Sequence, residues 1–158
     1  MPKIEIDQTD LRLLQSVQED ARLSNVDLAE RIGLSPSPCL RRLRRLEDEG
    51  IIKGYMTLLD QKAVGLPVNV FISVTLKEQS EQALDEFEGR IRKLREVMEC
   101  YLMTGTADYL LRVVTADLAA YESFLKEHLT RIPAIASIQS SFALKQVSFR
   151  TALPLPQA

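Results

Sequence analysis

Residues 35–50 read SPSPCLRRLRRLEDEG and place four arginines within five positions, although the whole chain has a formal net charge of only −2. From Arg31 to Leu46 the sequence contains five arginines and no acidic residue. Guanidinium groups donate paired hydrogen bonds to guanine edges and to phosphate oxygens, so this cluster favours contact with nucleic acid. The alternative is a solvated helix face whose arginines pair with the acidic residues that follow, three or four positions along.

The same stretch carries the signals of a helix. Ser35 is a suitable N-cap, Pro36 occupies the first helical position, and Gly50 follows the charged run as a terminator. At about 100° per residue one face of this helix is apolar. That face consists of Leu40, Leu43 and Leu46, with Cys39 beside them.

The opposite face of this helix is predicted to meet DNA. The residues that point away from the leucines are Ser37, Pro38, Arg41 and Arg45. We expect Arg41 and Arg45 to donate to guanine O6 and N7, with Ser37 adding a short hydrogen bond. Arg42 and Arg44 flank this face and are expected near phosphates. The complete set predicted to contact DNA is Ser24, Asn25, Ser35, Ser37, Pro38, Arg41, Arg42, Arg44 and Arg45.

Two helical segments precede the arginine-rich helix. An amphipathic segment begins between Asp7 and Asp10, and the SNVD sequence at residues 24–27 is a capping box that starts a second, short helix. Gly33 ends that helix just before the arginine-rich one. Three helices with a tight turn before the last predict a helix-turn-helix, whose final helix enters the major groove of double-stranded DNA.

From Val68 onward the pattern changes to alternating strands and helices. The preceding IIKGYMTLLD, residues 51–60, predicts a strand or hairpin, and Gly65 and Pro67 then mark a boundary. The later order is β-α-β-β-α-β, which predicts a ferredoxin-like four-stranded antiparallel sheet with helices on one face. The expected fold class is therefore α+β. We expect a helix-turn-helix domain at residues 1–53, a strand or linker at 54–67, the βαββαβ domain at 68–150 and a loose or docked tail at 151–158.

The second face of such a sheet is expected to be uncovered. Alternation along the strands predicts apolar side chains there, namely Phe71, Tyr101, Leu111, Val113 and Phe142. An uncovered apolar face predicts a homo-oligomer.

Composition and motifs exclude several classes of protein. The chain is 46% hydrophobic and 27% charged, without an apolar run of bilayer length or a secretory signal, so we expect a cytoplasmic protein with no membrane partner. Cys39 and Cys100 lack metal-ligand spacing and are expected to be reduced thiols, with no metal or cofactor. His128 is expected on the surface late in a helix. Because nucleotide-binding and hydrolytic motifs are absent from the sequence, we expect no enzyme.

Three segments together resemble the Lrp/AsnC family of bacterial and archaeal transcription regulators. They are NVDLAERIGLSPSPCLRRLRRLEDEGIIKGY, TGTADYLLRV and SSFALKQV, and the resemblance extends from about Ile6 to Phe149. It implies a nucleoid-associated protein whose homodimers often assemble further into tetramers or octamers and bind operators near promoters. It also implies modulation by a small amino acid in the second domain, with leucine or another branched or apolar amino acid as the leading candidate. The effector site implied by the family's motifs comprises Gly105, Thr106, Ala107, Asp108, Tyr109, Leu110, Ser140 and Ser141.

The chemistry of that turn suits a free amino acid. A turn opened by Gly105 can present backbone N–H groups to a carboxylate, while Asp108 is expected to bind the ammonium group. Many relatives carry an acidic residue directly after the glycine, where this chain has Thr106. The alternative is a plain hairpin turn without a ligand.

Three functions from different classes follow from the sequence. The favoured one is a DNA-binding transcription regulator that responds to an amino acid. The second is an architectural DNA-binding protein that needs no ligand, and the third is a metabolite-binding module attached to enzyme control.

Overall fold

The computed structural model describes residues 5–156. Contacts within the chain separate a helical unit, residues 5–57 with 147–156, from a sheet unit, residues 58–146. Among the described residues, no helix is both long and apolar enough to cross a membrane.

Three helices form the helical unit, in the order predicted for a helix-turn-helix. They are α1 (Gln8–Glu19), α2 (Asn25–Ile32) and α3 (Pro36–Asp48). Asp7 and Asp10 form a capping box at the start of α1, with the Asp10 N–H donating to Asp7 Oδ1 at 2.8 Å. Gly33 ends α2 in the left-handed conformation (φ 73°), which turns the chain sharply into α3.

The core of the helical unit lies where the three helices meet. Its fully buried side chains include Leu13 of α1, Leu28 of α2, and Cys39 and Leu46 of α3. Leu43 is partly buried against this core. The tail that follows the sheet unit returns to the same cluster, where Leu155 packs against it.

The sheet unit has the predicted βαββαβ order. Its elements are β1 (Val68–Leu76), α4 (Glu81–Ile91), β2 (Val97–Leu102), β3 (Tyr109–Thr115), α5 (Leu118–Glu127), a 3₁₀ turn at Leu129–Arg131 and β4 (Ile135–Phe142). The strand order across the sheet is β2-β3-β1-β4, and every neighbouring pair is antiparallel. The predicted α+β fold class is confirmed.

The core of the sheet unit lies between the sheet and its helices. Val70, Ile72 and Val74 of the central strand β1 are fully buried, as their alternation predicts. Phe87 of α4 packs against the ring of Tyr109, with the ring centroids 4.4 Å apart.

The predicted composition of the open sheet face was partly wrong. Leu111 and Val113 lie opposite Ile72 and Val70 in the sheet register, so they point towards the helices and are fully buried. Phe142 also lies on the helix side, because its ring meets that of Tyr121 on α5 edge to face with centroids 5.2 Å apart.

Phe71 and Tyr101 are 39% and 53% exposed on the open face, as predicted. A polar network lies beside them. Arg112 Nε donates to Glu99 Oε1 at 2.9 Å and Arg112 Nη1 donates to Asn69 Oδ1 at 3.1 Å. The open face is therefore mixed in polarity rather than uniformly apolar.

Two predicted strands differ from the structure. Residues 51–60 form no strand within the described chain, because a strand needs a pairing partner and this chain supplies none for them. The last strand of the domain predicted to reach residue 150 ends at Phe142, and the residues from Val147 onward group with the helical unit.

Candidate nucleic-acid interface and effector turn

The most exposed face of α3 carries two arginines. Ser37, Arg41, Arg44 and Asp48 follow one another at spacings of four, three and four residues, so they share one side of the helix, and all four are exposed. Neither Arg41 nor Arg44 forms an ion pair with any residue that the structure describes. Both guanidinium groups are therefore available to an external anion.

The other two arginines of α3 are bound inside the helical unit. Arg42 Nη1 donates to Asp10 Oδ1 at 2.8 Å and to Asp7 Oδ2 at 2.6 Å. Arg45 Nη2 donates to Asp10 Oδ2, and the Asp10 side chain is completely buried. The structure thus contradicts the prediction that Arg45 belongs to the outermost face. Arg42, which was predicted to lie near phosphates, instead binds Asp7 and Asp10 of the same chain.

The cause of this difference is the rotation of α3 about its axis. The most deeply buried residues of the helix are Cys39 and Leu46, whereas Leu40 lies at the edge of the exposed face. Taking Cys39 instead of Leu40 as part of the inward stripe turns the predicted outer face by roughly 40° at 100° per residue. That rotation moves Arg44 outwards and Arg45 towards α1.

Hydrogen bonds and charge stabilise the ionised forms of Asp7 and Arg42. The Asp10 N–H and, next in importance, the Arg42 guanidinium hold the pKa of the Asp7 carboxyl below its usual value. Hydrogen bonds to Asp7 and then to Asp10 raise the pKa of Arg42. The sequence places Asp10 only at the start of the first helical segment and does not single it out as the partner of Arg42 and Arg45.

The remaining residues predicted to contact DNA lie around the start of α2 and α3. The Ser24 hydroxyl accepts from the Asp27 N–H at 3.2 Å and so caps α2. Asn25 Nδ2 donates to the Pro36 carbonyl at 2.8 Å, which joins the start of α2 to the first turn of α3. Ser35 is the N-cap of α3 by backbone conformation, but its side chain makes no capping bond.

Ser37 and Pro38 lie in the first turn of α3. Ser37 is exposed and Pro38 is half-buried, so only Ser37 presents its side chain fully to an external partner. The two prolines in this turn, Pro36 and Pro38, remove two of the backbone N–H groups that a helix start usually offers to an anion.

The candidate effector turn joins β2 to β3 and presents backbone donors. Gly105 adopts a φ of 135°, which only glycine accommodates readily, and Gly105 and Thr106 are exposed while Ala107 is half-buried. The N–H groups of these three residues make no hydrogen bond to any described residue. The turn can therefore receive a small anion such as a carboxylate.

The structure contradicts the predicted role of Asp108. Its carboxylate points inwards, where Oδ2 accepts from the Leu76 N–H and Oδ1 accepts from Gln79 Nε2, each at 2.7 Å. The side chain is buried, with 9% of the residue exposed, so it is not presented to a ligand in the turn. Its role in the described chain is to attach the start of β3 to the end of β1.

Three more residues of the predicted effector site occupy different surroundings. Tyr109 is buried in the core on the helix side of the sheet and donates its hydroxyl to Glu88 Oε1 at 3.0 Å. Ser140 faces the helices and is hydrogen-bonded to Tyr121, whereas its neighbour Ser141 lies opposite Phe71 on the open face. Leu110 is half-buried on the open face.

Within one chain, the turn and the two serines of β4 do not come together. Strand β1 lies between β3 and β4, so the candidate residues are separated by at least about 10 Å across the sheet, and they are also offset along the strands. Among residues 5–156, no group of three or more metal-ligating side chains lies together, and both cysteines are free thiols, Cys39 buried and Cys100 exposed.

A helix-turn-helix with an exposed pair of arginines, followed by a separate ferredoxin-like domain, is the arrangement of a two-domain DNA-binding protein. Comparison with known families agrees with this class. Residues 6–53 match a model described as winged helix-turn-helix DNA-binding, and residues 69–153 match the Lrp/AsnC ligand binding domain. The chain belongs to the Lrp/AsnC family of transcription regulators, as the sequence resemblance predicted, and this class is not enzymatic.

Similar proteins span nearly the whole chain. The Bkd operon transcriptional regulator of Pseudomonas aeruginosa is 50% identical over 151 residues, covering 96% of this chain and 99% of that protein. The leucine-responsive regulatory protein of Escherichia coli is 38% identical over 146 residues, covering 92% and 89%. A transcriptional regulator of Neisseria meningitidis, solved in complex with L-Met, superposes with a TM-score of 0.90 at 42% identity and covers 95% of this chain and 97% of its own.

Proposed function

We propose that α3 recognises operator DNA through Ser37, Arg41 and Arg44. The observation that carries this proposal is the pairing state of the arginines, since Arg41 and Arg44 are exposed without an ion pair among the described residues. An unpaired guanidinium can donate two parallel hydrogen bonds to guanine O6 and N7. Because Pro36 and Pro38 reduce the backbone donors at the helix start, the side chains of α3 must supply most of the contacts.

Substitution of the two exposed arginines tests this recognition face. We expect Arg41→Ala or Arg44→Ala to weaken specific binding by about 1–3 kcal/mol and to relax selection at one base position. Arg95→Ala is a matched control, because Arg95 is exposed on the sheet unit and also forms no ion pair among the described residues. Equal footprints for all three variants would exclude α3 as the recognition helix.

We also propose that the turn at Gly105, Thr106 and Ala107 binds the carboxylate of an apolar amino acid. The unbonded N–H groups of these residues support a site for the carboxylate end. The names of two similar proteins support an apolar amino acid, since one is called leucine-responsive and the other was solved with L-Met. Leucine remains the leading candidate for this chain.

A thermal-shift panel of the twenty amino acids tests the effector. An amino acid at one hundred times its dissociation constant stabilises the folded protein by about 2.7 kcal/mol. Leucinamide has the same side chain and ammonium group as leucine but lacks the carboxylate, so it should give little or no shift. A leucinamide shift equal to that of leucine would mean that the turn does not bind the carboxylate.

We further propose that the chain acts as a homodimer or a larger homo-oligomer on chromosomal DNA in the cytoplasm. Exposed apolar side chains in the connecting segment support an interface with a second copy; they are Tyr55, Met56, Leu58, Leu59, Val64 and Leu66. A dimer should protect two half-sites whose centres are about 10 base pairs apart, or a multiple of that. Sedimentation as a monomer at micromolar concentration would contradict this proposal.

A further inference from the structure

The buried carboxylate of Asp10 lies at the centre of the contact between α1 and α3. Its side chain is 0% exposed, and each of its oxygens accepts from a different arginine of α3. Arg42 and Arg45 keep 31% and 40% of their side chains exposed, so each reaches inwards from the protein surface. One acidic residue therefore holds two of the four arginines that the sequence concentrates on this helix.

A buried carboxylate opposes the release of its partners. Moving either guanidinium to a DNA phosphate would leave Asp10 with a poorly compensated charge away from water. Arg45 Nε is also buried and has no hydrogen-bond partner among the described residues, although Glu49 Oε2 lies 3.9 Å from it, so the hydrogen bond that holds this side chain in the described chain goes to Asp10. Arg42 is held a second time by Asp7 at 2.6 Å.

We infer that Asp10 is a positioning residue for DNA recognition, which withholds Arg42 and Arg45 from DNA and fixes the rotation that presents Arg41 and Arg44. This inference rests on the proposed contact of α3 with the major groove. A free arginine binds any phosphate, so withholding two of them lowers non-specific affinity and raises the ratio of specific to non-specific binding. Asp10 therefore contributes to selectivity without touching the DNA.

The salt dependence of DNA binding distinguishes withheld arginines from engaged ones. Removing one arginine that binds a phosphate reduces the slope of log affinity against log salt concentration by about 0.9. In the parent protein, Arg41→Gln and Arg44→Gln should weaken operator binding and relax base selection, because their guanidinium groups are proposed to contact guanine. Arg42→Gln and Arg45→Gln should lower the melting temperature but change the salt slope by less than half of the amount expected for a phosphate-binding arginine.

The Asp10→Asn variant supplies the complementary test, because it removes the charge that holds the two arginines. We expect a steeper salt slope, a several-fold gain in affinity for random-sequence DNA, and a smaller ratio of operator to random binding. In this background Arg45→Gln should lower the slope, which it does not do in the parent. A purely structural role for Asp10 would reduce both affinities together and leave the slope unchanged.

The outcomes distinguish a failure of this inference from a failure of the proposed DNA recognition by Arg41 and Arg44. If Arg41→Gln and Arg44→Gln leave DNA binding intact, the proposed recognition face is wrong. If they weaken operator binding and Arg45→Gln in the parent lowers the salt slope by about 0.9, the recognition face stands and the withholding of Arg45 by Asp10 is refuted. If Asp10→Asn does not fold, as judged by circular dichroism, the comparison of the four arginine variants in the parent still decides.

Discussion

Replacing Asp108 with alanine should destabilise the sheet unit. The change removes the acceptor of the Leu76 N–H, which lies at a strand end where the residue is only 5% exposed. An unsatisfied buried donor costs about 1–3 kcal/mol, and hydrogen bonds to a charged group contribute about 1.5–3 kcal/mol. Gln79 is exposed and can bond to water instead, so the loss of its hydrogen bond adds little. We expect a total loss of about 2–3 kcal/mol in the free energy of unfolding.

Urea denaturation measures this loss. The chain contains no tryptophan, so far-ultraviolet circular dichroism is the suitable signal. Asp108→Asn keeps a carbonyl oxygen for the Leu76 N–H and should lose only about 1 kcal/mol. Thr106→Ala is a control in the same turn, and because Thr106 is exposed it should stay within about 0.5 kcal/mol of the parent. Stability of Asp108→Ala equal to that of Thr106→Ala would refute the inward role of the carboxylate.

Three further predictions concern local conformation, ionisation and thiol access. Gly33→Ala should lower stability by about 1–2 kcal/mol in denaturation experiments, because the φ of 73° at this position strains any residue with a Cβ. Gly89→Ala should raise stability slightly, because residue 89 lies inside α4 and a Cβ there meets no neighbouring atom. The pKa values of all four tyrosines are raised, and that of Tyr55 reaches about 12 through partial desolvation of its hydroxyl and then its hydrogen bond to Glu47. Tyrosinate absorbance at pH 10 should therefore report less than half ionisation. The stabilisation from neutral Tyr55 is full below pH 10 and is lost as the pH rises through about 12. A thiol reagent should label one cysteine per native chain, the exposed Cys100, and two after unfolding; two fast-reacting native thiols would contradict the burial of Cys39.

Local signals were sufficient to predict most elements of the fold. β-branched runs marked β1 at residues 68–76, and caps with left-handed glycine marked the helices around the turn at Gly33. The face of a strand was harder to predict when both faces are apolar. In β3, YLLRVVT, only Arg112 distinguishes the open face, and the pairing with β1 is what turns Leu111 and Val113 inwards.

The candidate sites depended on contacts between distant residues, and for that reason their prediction was less complete. Arg45 and Asp10 are 35 positions apart, and nothing in the spacing within α3 shows that a carboxylate of α1 lies below it. Similarly, the inward direction of the Asp108 side chain depends on the pairing of β3 with β1, which sequence periodicity does not specify. Charge and turn type are local properties, whereas the direction of a charged side chain is determined by packing.

Because the Asp108 carboxylate points inwards, the candidate effector turn cannot by itself offer a carboxylate to the ammonium group of an amino acid. Without that carboxylate, the exposed part of the turn supplies N–H donors at Gly105, Thr106 and Ala107, which suit the carboxylate of an amino acid but repel its ammonium group. Residues 104–107 contain no acidic side chain, so a carboxylate partner for the ammonium of a bound amino acid would have to come from outside the turn. A second copy of the chain is the natural source of such an acceptor in a homo-oligomer. If two copies share the ligand, ligand affinity and assembly are thermodynamically linked, so each must strengthen the other by the same factor.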